Sequence, residues 1–293
     1  MCGICGAIDF SEPANAAELV RLMTPTMQHR GPDDEGYLDR GPLSLGMRRL
    51  SIIDVEGGHQ PIFNEDGTIG VVLNGEIYNF QELQEQLKDR GHTFRTRSDS
   101  EVIAHAYEEW GAECVERFQG MFALAVWDGR KKGDEVTAGR LFLARDRLGI
   151  KPLYYYADKF QVSSSKFQVK SETNSELETW NLKLETFLFA SEVRTLLASG
   201  LVPRVLSRDA VESYLLFGSV SEPLTLIDGV VSLPPGHRLT IELGTAGVAK
   251  VQRYWNIARE PAPNGNATET GQTDIKTSAK RVRALLESEA LAG

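Results

Sequence analysis

The chain begins MCGICGAIDF at residues 1–10, and this stretch predicts how the rest of the fold is arranged. Gly3 to Phe10 is largely apolar, so we expect a short buried strand that starts almost at the terminus. Initiator methionine is commonly trimmed before a small residue such as Cys2. Trimming would leave Cys2 with a free α-amine, a group whose ordinary pKa is about 7.7–8.0. A thiol and a base on one residue together form an activated nucleophile.

Two plainer interpretations of these cysteines stay open beside the first. Cys2 can be an ordinary small apolar residue near a terminus. Cys2-x-x-Cys5 also matches the spacing of a redox pair or of half a zinc site. The chain has only three cysteines, of which Cys114 is isolated, and its five histidines show no ligand spacing. We therefore expect a packed core thiol at Cys5, no disulfide scaffold and no metal ligands.

Three later stretches carry further chemistry. RRLSIID at 48–54 places an arginine beside a strand-like run, where its guanidinium can clamp a carboxylate. NGEIYN at 74–79 offers the side-chain amide of Asn74 and the N–H of Gly75, two adjacent donors that suit an oxyanion hole. The same Asn-Gly pair is typical of a tight turn. Glu76 and Asp99 are carboxylates that can hold an ammonium group. Together these groups are what an α-amino acid amide requires of its site.

Hydrophobic periodicity predicts many short strands with helices between them, hence two sheets covered by helices. Strands are predicted at 3–10, 43–47, 50–53, 68–73, 121–127, 141–144, 153–156, 187–190, 230–233, 238–243 and 251–255. Helices are predicted at 16–27, 80–90, 99–110, 191–197 and 207–217, with Asp99 or Ser100 as the cap of the third. HRGPDDEG at 29–36 is predicted to be a loop, and the polar stretch at about 159–186 a surface insertion. Residues 261–274 have linker composition, and a last helix is predicted at 275–291.

The composition narrows the class of protein. Hydrophobic residues make up 41% and charged residues 25%, an ordinary globular balance. The formal net charge of -9 disfavours nucleic acid and anionic membranes as partners. The N-terminus has no basic region followed by an apolar run, and no segment approaches about 20 apolar residues. We therefore expect neither a signal peptide nor a membrane span, and a cytoplasmic location.

In chain order, the motifs of this sequence resemble those of the class II glutamine amidotransferases, the N-terminal-nucleophile group. The resemblance is closest to the glutaminase domain of glutamine-hydrolysing asparagine synthetase. The strings that carry it are MCGICG at 1–6, HRGPDDEG at 29–36, RRLSIID at 48–54, GGHQP at 57–61, NGEIYN at 74–79, RSDSE at 97–101, QGMFALAVWD at 119–128, ARDRLGIKPLYY at 144–155, FASE at 189–192 and LPPGH at 233–237. They cover almost the whole chain outside the insertion.

The resemblance implies an α+β fold, a four-layer αββα sandwich of two antiparallel sheets. It implies that Cys2 attacks the amide of L-glutamine to form a γ-glutamyl thioester, with its own α-amine as base. Asn74 and Gly75 would then stabilise the oxyanion. The resemblance also implies substrate-binding roles in the following set: Arg49 for the carboxylate, Glu76 and Asp99 for the α-ammonium, and backbone groups around Leu50, Ile52 and Ile53 for the pocket wall.

Three more residues receive supporting roles from the resemblance. Arg30 would shape the loop over the site, while Arg145 and Asp146 would make internal polar contacts. No metal or cofactor is implied for the glutaminase reaction. ATP and magnesium would belong to a synthetase domain, whose SGGxDS loop does not occur in this sequence.

The expected organisation is a glutaminase domain at 1–210, followed at 211–293 by a segment that connects to such a synthetase domain. A separate ATP-binding synthetase domain or subunit is accordingly an expected partner, and a homodimer is left open. Three alternatives remain at this stage: a regulatory module that binds glutamine without turnover, a truncated fragment of a synthetase, and a redox or zinc-binding protein built on Cys2 and Cys5.

Overall fold

The computed structural model describes residues 1–130, 139–157, 178–180, 185–244, 249–256 and Arg283. The chain divides into two compact units, Met1–Tyr254 and Trp255–Gly293. Nearly all described residues belong to the first unit, so the fold below is the fold of Met1–Tyr254.

The first unit contains thirteen strands and five α-helices among its described residues. Its strands are β1 Gly3–Asp9, β2 Asp34–Arg40, β3 Leu43–Arg49, β4 Ile62–Phe63, β5 Ile69–Ile77, β6 Gly120–Asp128, β7 Arg140–Arg145, β8 Tyr154–Ala157, β9 Glu178–Trp180, β10 Thr186–Ala190, β11 Val230–Ser232, β12 His237–Glu242 and β13 Ala249–Arg253. Its helices are α1 Pro13–Met23, α2 Phe80–Asp89, α3 Asp99–Trp110, α4 Val193–Ala198 and α5 Arg208–Phe217, with 3-10 turns at Thr24–Met27 and Gly111–Glu116.

The strands form two sheets whose neighbours all run antiparallel. One sheet has six strands in the order β11-β8-β10-β1-β3-β2, and the other has seven in the order β4-β5-β6-β7-β12-β13-β9. β1 lies inside the first sheet, between β10 and β3, which explains why every one of its residues is buried. The apolar opening stretch therefore forms a central strand, as its composition predicts.

Three hydrophobic clusters separate four layers. Ile4 and Ile8 of β1 pack against residues of the second sheet such as Val72, so the first cluster lies between the sheets. A second cluster fills the space between the second sheet and helices α2 and α3. A third cluster lies between the first sheet and helices α1 and α4. This is the predicted αββα sandwich of two antiparallel sheets in an α+β fold, and the prediction is confirmed.

Several local predictions differ from the structure. Residues 50–53 form no strand, because the chain turns there to close a loop onto Arg49. β2 begins at Asp34, inside the stretch predicted to be a loop. β5 continues through Asn74-Gly75 to Ile77 because β6 pairs with it over its whole length, so the predicted tight turn is wrong. The cap of α3 is Ser98, whose side chain accepts a hydrogen bond from the N–H of Ser100 at 3.3 Å.

Some predictions fall wholly or mainly outside the described residues. The linker at 261–274 lies outside them, as does the last helix at 275–291 apart from Arg283. Most of the insertion at 159–186 also lies outside them, although Glu178–Trp180 within it pairs with β13. The division between residues 1–210 and 211–293 stays a prediction, while β11 and β12, which follow residue 210, pair with β8 and β7. None of the described helices is long and apolar enough to cross a membrane.

Candidate active site

A cavity of about 250 Å³ opens where the two sheets meet near the start of β1. Its lining residues are Met1, Cys2, Arg49, Leu50, Ile52, Ile53, Gln60, Asn74, Gly75, Glu76, Ser98, Asp99, Ser100, Met121 and Lys151. All predicted catalytic and substrate-binding residues are therefore brought to one cavity, although they come from four stretches of sequence.

Cys2 reaches the cavity because it immediately precedes β1. Its Sγ lies 3.8 Å from the carbonyl oxygen of Leu50, a long contact that leaves the thiol close to the cavity wall. Arg30 donates from Nε to the carbonyl oxygen of Cys2 at 2.8 Å and from Nη1 to Glu192 at 3.1 Å. Since this arginine is mostly buried, it holds the backbone of Cys2 in place. Arg30 thus contacts Cys2 itself, whereas its predicted role in shaping the loop over the site stays a prediction.

Cys2 and Cys5 lie on opposite faces of the first sheet. Cys2 packs against the cluster between the sheets, whereas Cys5 belongs to the cluster beneath α1. Burial raises the pKa of Cys5 to about 12, and its Sγ contacts the hydroxyl of Thr24 at 3.3 Å. A protonated thiol that faces away from Cys2 can form neither a redox pair nor a shared metal site with it. The Cys-x-x-Cys interpretation is therefore wrong.

Asn74 and Gly75 face Cys2 from the second sheet, on β5. The side chain of Asn74 is completely buried, and its Nδ2 donates weakly to the hydroxyl of Ser191 at 3.4 Å. Its Oδ1 has no hydrogen-bond partner among the described residues. The backbone of Gly75 has φ 155°, and a Cβ there would lie 2.1 Å from the carbonyl oxygen of Met121. Only glycine fits this position, so the N–H beside Asn74 is unhindered by a side chain.

Asp99 is the first residue of α3 and a buried carboxyl at the cavity wall. Burial raises the pKa of Asp99 to about 6, with a hydrogen bond from the N–H of Ile77 opposing the rise and the charge of nearby Glu76 adding to it. The Ile77 bond is 3.0 Å long and fixes Oδ2. Buried Asp99 and half-buried Glu76 are two neighbouring carboxylates in the cavity wall, an arrangement that can hold a cation such as an α-ammonium group.

Arg49 is buried, and its guanidinium is partly used by the protein itself. Nη2 donates to the carbonyl oxygens of Ile53 and Asp54, both at 2.8 Å, and Nη1 donates to Val55 at a long 3.4 Å. At most three of the five guanidinium donors are spent in this way. Arg49 therefore closes the loop that carries Leu50, Ile52 and Ile53 into the lining, and it keeps donors for a ligand carboxylate.

Six residues at or beside the cavity were not predicted: Gln60, Ser98, Ser100, Met121, Lys151 and Ser191. Gln60 accepts from the N–H of Leu73 at 2.7 Å and donates to Ser100 at 2.9 Å, so it ties β5 to α3. Ser191 accepts from the N–H of Ile4 at 3.0 Å and faces Asn74, so it joins β1 to β5. Gln60 and Ser191 lie far along the chain from the residues they contact, so the sequence offered little reason to select them. Ser98 and Ser100, in contrast, flank the predicted Asp99.

Lys151 reaches the cavity through the polar contacts expected of Arg145 and Asp146. Asp146 accepts from the N–H of Lys151 at 3.0 Å and of Phe122 at 3.2 Å, while Arg145 donates to the carbonyl oxygen of Lys151 at 2.8 Å. These bonds fix the turn after β7. Lys151 itself is buried, and in the described part of the chain its ammonium has no hydrogen-bond or ion-pair partner.

Known proteins share both this sequence pattern and this fold. The family model for the glutamine amidotransferase domain matches residues 1–255. Asparagine synthetase [glutamine-hydrolyzing] 2 of Bacillus subtilis is 36% identical over 265 residues, which are 88% of this chain and 31% of that protein. Asparagine synthetase [glutamine-hydrolyzing] 3 of the same organism is 32% identical over 264 residues, which are 89% of this chain and 37% of that protein. The chain thus spans about a third of the length of these relatives.

A solved structure supports the fold. The glutamine phosphoribosylpyrophosphate amidotransferase of B. subtilis superposes with a TM-score of 0.56 at 17% identity, over 87% of this chain and 49% of that one. At this identity the likeness concerns the fold alone, and it agrees with the αββα sandwich. The match of the family model over residues 1–255 shows the family. By sequence and by fold, this chain belongs to the glutamine amidotransferase domain family.

Proposed function

We propose that this chain hydrolyses the side-chain amide of L-glutamine to L-glutamate and ammonia through a thioester on Cys2. The observation that carries the proposal is the convergence of a thiol, two oxyanion donors, two carboxylates and an arginine on one cavity of about 250 Å³. This volume suits a small amino acid. The carboxylates and the arginine match the ammonium and carboxylate groups on its α-carbon. The family supplies glutamine as the substrate.

Substrate binding would use opposite charges at the two ends. The α-ammonium lies against Asp99 and Glu76, and the α-carboxylate accepts from the donors of Arg49 that the loop carbonyls leave free. The side-chain amide then points toward Cys2 and Asn74. Bidentate or paired charge contacts of this kind hold a small substrate in one orientation, which lowers the entropic part of the barrier.

The chemistry would begin once removal of Met1 frees the amine of Cys2. That amine takes the thiol proton, and the thiolate attacks the amide carbon to form a tetrahedral oxyanion. Nδ2 of Asn74 and the N–H of Gly75 donate to this oxyanion. The amine returns the proton to the departing nitrogen, which leaves as ammonia. Water then attacks the thioester, the thiol is regenerated and glutamate is released.

A pair of cysteine variants tests this mechanism. Cys2→Ala removes the nucleophile and should abolish glutamate release from glutamine, measured by an enzyme-coupled glutamate assay. Cys5→Ala is the control, because its thiol faces the opposite side of the sheet and should leave most activity. A variant that retains Met1 should be nearly as inactive as Cys2→Ala. Glutamate release by Cys2→Ala at the native rate would disprove the thioester route, and tight glutamine binding without turnover by the native chain would favour a regulatory module.

We infer further that the ammonia serves a synthetase domain or subunit of the kind that makes up most of the relatives' length. The relatives are glutamine-hydrolysing asparagine synthetases, and this chain covers about a third of each. An exposed apolar run at the end of α5 supports the inference: Leu215, Leu216 and Phe217 are each more than 70% exposed. An exposed run of this kind favours contact with another protein surface. ATP and magnesium would bind to that partner.

A further inference from the structure

Two histidines and two glutamates converge at a second place, outside the cavity. This Glu65 cluster consists of Glu65, His92, His105 and Glu108. Glu65 lies between β4 and β5, and His92 follows the glycine that ends α2. His105 and Glu108 are three residues apart on α3 and therefore share one helix face. Each of the four offers one ligand atom, and these atoms lie within 4.8 Å of one another.

His105 is the least explained member of the cluster. Its side chain is completely buried, and within the described part of the chain neither ring nitrogen makes a hydrogen bond of acceptable geometry. Nδ1 lies 3.1 Å from Oε2 of Glu65, and Nε2 lies 3.6 Å from Oε1 of Glu101. A buried imidazole whose carboxylate neighbours make no well-directed hydrogen bond is poorly satisfied, and a ligand on the cluster side would satisfy it.

The surroundings of both histidines favour coordination of a metal ion. In metal sites, a ligating imidazole places its second nitrogen toward a carboxylate, which fixes the tautomer. His105 has this arrangement, with Glu101 on the side away from the cluster. His92 repeats it: Nδ1 lies 3.2 Å from Glu65, and Nε2 lies 3.8 Å from Glu109.

We propose that the Glu65 cluster binds one zinc ion in tetrahedral coordination. Zinc bonds of about 2.0–2.2 Å to nitrogen and oxygen place neighbouring ligand atoms about 3.3 Å apart. Oε2 of Glu65 already has this spacing from Nδ1 of His105, at 3.1 Å. The other oxygen of the same carboxylate, Oε1, lies 3.2 Å from Nδ1 of His92. Closing the largest gap of 4.8 Å requires a shift of roughly 1 Å in side chains. Two imidazoles with two carboxylates suit zinc better than magnesium or calcium, which prefer oxygen ligands.

A zinc ion could reach the cluster from solvent and would have a structural role there. The side chain of Glu65 is 32% exposed, so the cluster is open to solvent on that side. Four protein ligands leave no coordination position for substrate, which is the pattern of a structural site. Zinc would fasten the Glu65 turn and the segment after α2 to α3, the helix whose first residue, Asp99, lines the cavity. None of the four ligands lines the cavity itself.

Zinc binding to the full chain, stripped of metal with a chelator, tests the proposal. Titration against a chromogenic chelator should give one zinc per chain, and cobalt should give the intense visible spectrum of a tetrahedral site. His92→Gln and Glu108→Gln should each weaken zinc binding by at least about 100-fold. His59→Gln is the matched control, since its exposed ring pairs with Asp34. Cys2→Ala controls for binding at the terminal thiol.

The outcomes separate the possibilities. One zinc per chain, lost in both cluster variants and retained in both controls, supports the proposal. Zinc should also raise the melting temperature of the native chain, without a matching rise in His92→Gln. No stoichiometric binding, an octahedral cobalt spectrum, or binding lost only in Cys2→Ala would overturn it. These readouts do not depend on glutamine hydrolysis, so they remain decisive whether or not the proposed activity is found.

Discussion

Replacing Asp99 by asparagine should stabilise the protein at neutral pH and weaken glutamine binding. The carboxyl is buried in the cavity wall, and burial raises its pKa from 3.8 to about 6, with Glu76 adding to the rise. Asparagine has nearly the same shape and keeps an oxygen that can accept from the N–H of Ile77. The variant therefore removes a buried charge and little else.

The magnitude follows from the raised pKa. The folded state holds the proton of Asp99 more tightly than the unfolded state does, so ionised Asp99 destabilises the fold. One pKa unit corresponds to about 1.4 kcal/mol, so a rise from 3.8 to about 6 amounts to on the order of 3 kcal/mol. The destabilisation is absent well below pH 4, grows as pH rises through the interval between the two pKa values, and is complete above about pH 6.

Urea unfolding of both proteins at several pH values measures this effect. The free energy of unfolding of Asp99→Asn should exceed that of the native chain by about 3 kcal/mol near pH 7.5, and the difference should shrink toward pH 4. Asp39→Asn is a control of opposite sign, because the Arg21 guanidinium lowers the pKa of Asp39. That variant should lose stability at neutral pH. An Asp99→Asn protein less stable than the native chain near pH 7.5 would refute the reasoning.

The same variant tests the role of Asp99 in binding. Removing one partner of a buried charge pair costs about 2 kcal/mol or more, so KM for glutamine should rise at least about 30-fold near pH 7.5. In the native chain, KM should rise as pH falls below about 6, because protonation neutralises the carboxyl. The Asp99→Asn variant should show no such rise, and a native KM that stays constant through this range would count against Asp99 as the ammonium partner.

Three further predictions concern the cavity and the product. Asn74→Ala should lower kcat by on the order of 100-fold or more with little change in KM, whereas Arg49→Ala should mainly raise KM. Steady-state kinetics measure both constants, and a raised KM in Asn74→Ala with a lowered kcat in Arg49→Ala would contradict the assignments. The Gly75→Ala protein should be much less stable than the native chain in urea unfolding, since a Cβ at residue 75 would lie 2.1 Å from the carbonyl oxygen of Met121. Gly67→Ala is the control for replacing a glycine at positive φ, because a Cβ there meets no atom within 4 Å. Incubation of the chain alone with glutamine, aspartate, ATP and magnesium should yield glutamate but no asparagine, and chromatographic detection of asparagine in excess over enzyme would disprove this.

The architecture was predictable where local pattern and tertiary context agree. The apolar run after Cys2 predicted a buried strand, and the structure places it inside a sheet. The Asn74-Gly75 pair has the local preference of a turn, yet the pairing of β5 with β6 extends the strand through it. Local propensity yields to tertiary pairing here, and glycine is needed for close approach of Met121 rather than for reversal of the chain.

A cavity residue was predictable where the family motif that contains it also implies a role for that residue. Cys2, Arg49 and Asp99 were assigned from motifs, and the structure brings them together. Gln60 and Ser191 lie in the motifs GGHQP and FASE but received no role there, because their importance lies in bonds to residues 13 and 117 positions away. The Glu65 cluster was missed for the same reason: its ligands come from three segments, so no spacing along the sequence marks them.

The position of the cavity between the sheets explains why catalysis would depend on the whole sandwich. Cys2, the proposed nucleophile, precedes β1 in one sheet, whereas Asn74 and Gly75, the proposed oxyanion donors, belong to β5 in the other. Neither sheet holds a complete site, and the distance between the two halves is set by the cluster of Ile4, Ile8 and their partners. Protein interiors are close-packed, so this distance is fixed by side-chain volume. Ser191 bonds to both strands and adds a direct link beside the reacting atoms. Precise placement of Cys2 therefore arises from the core between the sheets, even though the residue itself lies at the end of the chain.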